Sequence, residues 1–209
     1  MKLWSLSLAV LFSFLTLTTL LPARAELSSW GYDQDHCKAI FVVTHAGLAP
    51  VTGWFKKIRG RVEFDSANLK NSRVKAKIET ESLDSGSHFR DFHLKSEHFF
   101  DIKNFSVISF ESTEIKPLGP GKFQMTGTLE IRGIKKTVVL DCQGPRGPIF
   151  DDHKQDRMGF SARTKINRKD FGMDWNREVA KNVLMLGDLA EINLEIELIK
   201  VPGVKTSKH

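Results

Sequence analysis

The run INLEIELI at residues 192–199 decides the fold class of this chain. Its apolar residues alternate with Asn193, Glu195 and Glu197, so one face of the run is apolar and the other is polar. Because successive side chains of a strand point to opposite faces, this period of two predicts a β-strand with one face in water.

Seven further runs of strand character precede this one. Turn residues separate them at Pro50, in LGPGK (118–122) and in GPRGP (144–148). Eight evenly spaced strands with little helix between them predict antiparallel pairing in a closed barrel or a sandwich. The seven additional predicted strands are 35–45, 53–64, 73–81, 107–115, 122–131, 136–142 and 157–166.

Two segments break the alternation. In residues 85–101, Phe89, Phe92 and His93 recur at spacings i, i+3 and i+4, which predicts a short helix. Residues 168–187 read as a long connection with one turn of helix. Structured insertions of this kind between strands often carry function.

The first 25 residues have the character of a cleavable signal peptide. Lys2 precedes an apolar run, and small residues at Ala23 and Ala25 fit a cleavage site. We therefore expect residues 26–200 to form one barrel domain that is exported and soluble, followed by a flexible tail at 201–209.

Composition excludes some partners and indicates others. The formal net charge is +6, but basic residues are scattered among acidic ones, so we expect no nucleic-acid surface. Fifteen Phe stand beside four Trp and one Tyr, which gives the strands a large apolar surface. Inward rings could form a close-packed core, or they could leave an apolar cavity for a ligand. The expected inward rings are Phe41, Phe55, Phe64, Phe110, Phe123 and Phe160.

The two cysteines also leave two alternatives open. Cys37 and Cys142 lie in predicted strands and could form a disulfide in an exported protein, if the two strands are neighbours. They could equally be two buried free thiols.

Six segments between residues 32 and 173 carry a family resemblance. They are YDQDHCKAIFVVTHAG (32–47), GWFKKIRGRVEFD (53–65), RDFHLKSEHFFD (90–101), ISFEST (108–113), GTLEIRGIKKTVVL (127–140) and RMGFSARTKINRKDFGM (157–173). Taken in order, they resemble the YceI-like family of exported bacterial polyisoprenoid-binding proteins. The sequence departs from the family pattern at Cys37, at Glu97-His98 and at Ser106-Val107.

The resemblance implies an eight-stranded antiparallel, lipocalin-like barrel in the periplasm, whose apolar cavity holds a polyisoprenoid chain such as a quinone tail or a prenyl lipid. It also suggests a homodimer and leaves transient membrane contact open. No cofactor beyond the lipid ligand is expected. With strand parity and the insertion that could cap the mouth, it predicts chain contacts at Phe41, Val43, Phe55, Ile78, Phe89, Leu94, Phe99, Phe110, Leu129, Ile131, Phe160 and Phe171.

The family motifs also bring four polar residues together. They could contact a quinone ring or a diphosphate headgroup, since an Arg guanidinium matches phosphate. Alternatively, an Arg–Asp salt bridge could anchor the insertion with both histidines behind it. The four residues are His45, Arg90, Asp91 and His93.

Other chemistries receive little support from the sequence. His88, His93 and His98 are five residues apart, so a helix would not place them on one face for a metal ion. Cys37 and His36 are adjacent in a strand and point to opposite faces, which makes them a poor nucleophile and base. We expect a binding protein and not an enzyme. The alternative is a periplasmic structural or interaction protein with a filled barrel, and a weaker one is an enzyme that acts on an isoprenoid substrate.

Overall fold

The computed structural model describes residues 27–202, which form mostly strands. The predicted signal peptide and residues 203–209 of the predicted tail lie outside the described residues. The strands are β1 (Ser28–Tyr32), β2 (Lys38–His45), β3 (Ala49–Phe55), β4 (Ile58–Phe64), β5 (Arg73–Glu79), β6 (Leu83–Asp84), β7 (Val107–Gly119), β8 (Lys122–Ile131), β9 (Ile134–Phe150), β10 (Asp156–Asn167), β11 (Glu178–Ala180), β12 (Val183–Leu184) and β13 (Leu186–Lys200).

The main sheet closes into an antiparallel barrel, which is one of the two architectures that the strand pattern predicts and the one that the family resemblance implies. Neighbouring strands around the ring are β1, β4, β5, β7, β8, β9, β10 and β13, and pairing of Trp30 with Lys200 joins β13 back to β1. β2 continues β1 along the same edge of β13, while β3 and β6 extend the wall beyond β2. The barrel wall therefore has eight strand positions. Three of them are each formed by two successive strands: β1 with β2, β3 with β4, and β5 with β6.

These divided strand positions correct two predicted strand bounds. Residues 53–64 form two strands, because the inward face changes from odd positions such as Phe55 to even positions such as Ile58 and Val62. The first strand begins at Ser28 and not at residue 35. An Asx turn, in which the Asp33 carboxylate accepts the Asp35 N–H, separates it from β2.

Two predicted turns also lie elsewhere. The GPRGP segment (144–148) stays within β9, where Gly144 and Gly147 adopt positive φ and the β9–β10 register shifts. The chain reverses after it, where the Asp151 carbonyl accepts the Lys154 N–H. Pro50 is inside β3, and the reversal before it uses residues 46–48.

The insertion at 85–101 contains helix α1 (His88–Lys95), as predicted. The connection at 168–187 contains the predicted helical turn, a 3-10 turn at Arg168–Phe171. It also contains the β11–β12 hairpin, which the sequence does not predict. These insertions lie at the same end of the barrel, called the mouth here. In the described part of the chain, helices are too short and polar to form a membrane-spanning helix.

Candidate functional site

The barrel encloses an elongated cavity of about 290 Å³ with an almost entirely apolar wall. Side chains from all eight strand positions of the barrel contribute to that wall. On β13 alone the lining runs from Leu186 near the mouth to Leu198 at the opposite end. At about 3.3 Å per residue, these positions span roughly 40 Å of strand. The cavity thus suits a long, thin apolar ligand.

All six phenylalanines expected to point inward contribute to the cavity wall. A close-packed core does not describe this interior. Three of the rings lie against glycine residues in the wall, where a Cβ atom would clash with them. Such a Cβ would lie 2.3 Å from the Phe41 ring at Gly53, 2.4 Å from the Phe110 ring at Gly127 and 2.6 Å from the Phe160 ring at Gly144.

Twelve of the sixteen residues predicted to contact the ligand line this one cavity, and their contact with a ligand remains a prediction. They are Phe41, Val43, His45, Phe55, Ile78, Arg90, Leu94, Phe99, Phe110, Leu129, Ile131 and Phe160.

The other four predicted residues lie outside the cavity wall. Phe89 is on the face of α1 opposite Arg90 and Leu94, and it is 86% exposed. Phe171 is 1% exposed, but it is buried beneath an outer groove and does not line the cavity. Asp91 and His93 contribute to the packing of the mouth.

A hydrogen-bond network at Ser85 anchors the start of α1. The Asp91 carboxylate accepts the Ser85 N–H at 2.8 Å and the Ser85 hydroxyl at 2.5 Å. Arg90 donates to the Ser85 hydroxyl at 2.9 Å and to the Ser85 carbonyl at 2.8 Å. The geometry therefore favours the anchoring alternative, although the two charged groups meet at Ser85 and not in a direct salt bridge. Within residues 27–202, neither the His45 nor the His93 side chain hydrogen-bonds to this network.

His93 ties α1 to the long connection at the mouth. Its ring packs edge-on against Phe99 at 4.9 Å and against Trp175 at 4.6 Å between ring centroids. Burial and the neighbouring His98 lower the pKa of His93. The neutral ring is the form that fits this aromatic cluster.

Arg168 is a mouth residue that the sequence does not single out, since nothing in the local sequence distinguishes it from neighbouring basic residues. It is buried, and it donates hydrogen bonds to the carbonyls of Gly187 at 3.0 Å, Trp175 at 2.9 Å and Met173. Its guanidinium also contacts Asp188 at 3.3 Å. One side chain therefore fixes the connection to the barrel.

A charge cluster closes the end of the barrel opposite the mouth. Arg157 donates to the carboxylates of Asp33, Asp151 and Glu197. Burial raises the pKa of Asp33, but hydrogen bonds from His36, the Asp35 N–H and Arg157 outweigh it and lower the pKa to about 2. Oxygen and nitrogen atoms of Asp33, His36 and Glu197 lie within 4.8 Å of one another. Since Arg157 already pairs with both carboxylates, the cluster serves as an ionic closure.

Both cysteines are free and buried, so the disulfide alternative is wrong for this structure. The Cys37 thiol donates to the Glu197 carbonyl at 3.2 Å, whereas Cys142 lies in the cavity wall. Burial raises the pKa of Cys37 to about 11 and that of Cys142 to about 12. Both thiols are therefore protonated near neutral pH and poorly nucleophilic.

Comparisons with known proteins agree with this architecture. A UPF0312 protein of Vibrio cholerae is 34% identical over 155 residues, which are 73% of this chain and 82% of that protein. Burkholderia cenocepacia BcnA superimposes with a TM-score of 0.68 at 24% identity, covering 79% of this chain and 98% of that one. A polyisoprenoid binding domain from Saccharophagus degradans, implicated in plant cell wall breakdown, gives a TM-score of 0.59 at 13% identity over 84% of this chain and 100% of that domain. Since the family model of the YceI-like domain matches residues 30–198, this chain belongs to the YceI-like family.

Proposed function

We propose that this protein binds a polyisoprenoid chain, the tail of a prenylquinone or another prenyl lipid, inside the barrel and carries or stores it in the periplasm. The elongated apolar cavity is the observation that carries the proposal. An isoprenoid offers only apolar groups along its length, so its affinity comes from buried surface at roughly 25 cal/mol per Å², less the cost of ordering a flexible tail.

Other observations support binding in preference to catalysis. The wall groups are overwhelmingly apolar, and the Cys142 thiol that lines the cavity is held protonated by burial. The Saccharophagus degradans domain, described as polyisoprenoid binding, shares this fold. Export through residues 1–25, a homodimer and transient membrane contact belong to the proposal as expectations from the sequence and its resemblance.

A titration with quinones of different tail length tests the proposal. We expect a long-tailed prenylquinone to bind, and the same quinone ring without a tail to bind at least tenfold more weakly, a difference of about 1.4 kcal/mol. Equal affinities would show that the ring and not the cavity holds the ligand, and would contradict the proposal.

Variants of the wall test whether the tail occupies the cavity. Phe110→Ala and Phe160→Ala should each lower the affinity for the long-tailed quinone at least tenfold, while circular dichroism still shows a folded barrel. Leu189→Ala is the matched control, because Leu189 is 59% exposed on the outer face of β13. Unchanged affinity in both Phe variants, or an equal loss in the control, would contradict binding in the cavity.

A further inference from the structure

The barrel wall contains a seam between β9 and β10. Their pairing runs from Asp156 with Phe150 to Arg163 with Asp141 and stops there, although both strands continue towards the mouth. Beyond that point, residues 134–140 pair with β8 alone and residues 164–167 pair with β13 alone. Within the described residues, no ladder pair therefore joins β9 to β10 in the half of the wall nearest the mouth.

An outer groove of about 400 Å³ follows this seam. Three of its lining residues, Val138, Thr164 and Ile166, also line the inner cavity. A single layer of side chains thus separates the cavity from the groove. Polar side chains, including Lys136, Lys165 and Asp170, contribute to the groove wall.

Phe171 closes the mouth end of the seam. It belongs to the 3-10 turn Arg168–Phe171, is 1% exposed and lines the groove. The turn ends at Gly172, whose φ is 72°, and a Cβ placed there would lie 3.5 Å from the Ile134 side chain. Moving Phe171 and the shared side chains would open the seam without breaking any backbone ladder bond between β9 and β10.

The mouth itself is held more firmly. The hydrogen bonds of Arg90 and Asp91 with Ser85 hold α1 there, and His93 packs against Trp175. Opening the mouth would disrupt this network and the aromatic cluster together. At the seam, Arg168 holds the turn that carries Phe171, so only the Phe171 ring and the shared side chains need to move.

From this arrangement we propose that the seam between β9 and β10 is a lateral portal, through which the apolar chain of the ligand slides into the barrel while its polar headgroup stays at the groove. The inference rests on the proposed function for the nature of the ligand. It assigns the role of a gate to Phe171, which the sequence predicts to contact the ligand chain.

A cross-link across the seam tests the portal. If the β9–β10 register were extended towards the mouth, Thr164 would lie opposite Leu140 and Lys165 opposite Val139. Val139→Cys with Lys165→Cys therefore bridges the unpaired half. Asp141→Cys with Arg163→Cys is the matched control, since those residues already pair. Both pairs are made in a Cys37→Ala, Cys142→Ala background. A short bis-maleimide replaces the disulfide if oxidation is incomplete, and mass spectrometry confirms the bridge.

The readout is the uptake rate of diphenylhexatriene, an apolar fluorophore that requires no isoprenoid-specific contact. Bridging 139 to 165 should slow uptake at least tenfold, and reducing a disulfide bridge should restore the rate, whereas bridging 141 to 163 should leave the rate unchanged. Phe171→Leu, which keeps an apolar side chain, should speed uptake at least threefold with the same final fluorescence.

The outcomes separate the portal from the proposed function. Equal uptake rates in the two bridged proteins, or a wild-type protein that takes up no fluorophore, would overturn the portal. A cross-link between α1 and the barrel that slows uptake, when the seam bridge does not, would place access at the mouth. Normal fluorophore uptake without any binding of prenylquinone would overturn the proposed ligand and leave the portal standing.

Discussion

At the scale of single residues, glycines determine how much space the phenylalanine rings leave inside the barrel. Phe41 pairs directly with Gly53 across β2 and β3, and its ring occupies the space that a Cβ at position 53 would need. Rings placed in this way lie along the wall and leave the axis of the barrel open. The number of phenylalanines therefore does not decide whether the barrel is filled.

Gly53→Ala tests this role of glycine. The new methyl group would lie 2.3 Å from the far end of the Phe41 ring, so the ring must swing towards the cavity axis. We expect affinity for a long-tailed prenylquinone to fall about tenfold, measured by fluorescence titration. Adding Phe41→Leu should restore most of that affinity, because the smaller side chain clears the methyl group.

Gly31→Ala is the control for this substitution. A Cβ at position 31 would meet only Val201, at 3.8 Å, so the variant should bind as the wild type does. Equal affinities of the Gly53→Ala, Gly31→Ala and wild-type proteins would show that the Phe41–Gly53 contact does not control the cavity.

Strand parity predicts side-chain direction well where the strand is regular. Phe110 and Phe160 line the cavity as expected, because alternation alone decides their direction. The prediction fails for Phe89 and Phe171, which are assigned from the two insertions and lie on a helix and a 3-10 turn. The rotation of a short helix about its axis depends on tertiary contacts such as those of Ser85, which local sequence does not specify.

At the scale of elements, α1 and the 168–187 connection cover the mouth as one unit. His93 and Trp175 join them, while Arg168 joins the connection to the carbonyls around it. The sequence predicts both insertions because alternation stops there. It does not reveal the β11–β12 hairpin, since strands of three and two residues are too short to show a period.

This packing predicts acid sensitivity of the mouth. The pKa of His93 in the folded protein is lower than its ordinary value near 6.5. Below pH 6.5, the unfolded chain therefore binds more protons than the folded protein does. Stability from this site is thus present above that pH and is lost as the pH falls through the lower folded pKa. His93→Phe, which keeps a ring in the cluster, should reduce the fall in melting temperature between pH 7 and pH 5 by about 2 °C.

His88→Phe is the control, since His88 is exposed on the first turn of α1. Thermal unfolding followed by circular dichroism at both pH values gives the comparison. If His93→Phe loses as much stability on acidification as the wild type, protonation of His93 does not weaken the mouth.

At the scale of the whole molecule, alternation and short connections predict a closed barrel or a sandwich, and the family resemblance selects the closed barrel. The residue-by-residue pairing of the strands was not predictable from the sequence. The seam depends on where the β9–β10 ladder stops, and GPRGP continues β9 because glycine tolerates the positive φ of the irregular pairing. The ionic closure around Arg157 joins Asp33 to residues more than 100 positions away, so only the folded chain reveals it.

The lipid content of the native protein tests binding of a polyisoprenoid most directly. Protein purified from its own cell envelope, washed, extracted with organic solvent and examined by mass spectrometry should release a polyisoprenoid lipid at about one chain per barrel, as one elongated cavity requires. The extracted protein should then take up a long-tailed prenylquinone again. An extract free of prenyl lipid, together with a folded protein that takes up no prenylquinone, would contradict polyisoprenoid binding.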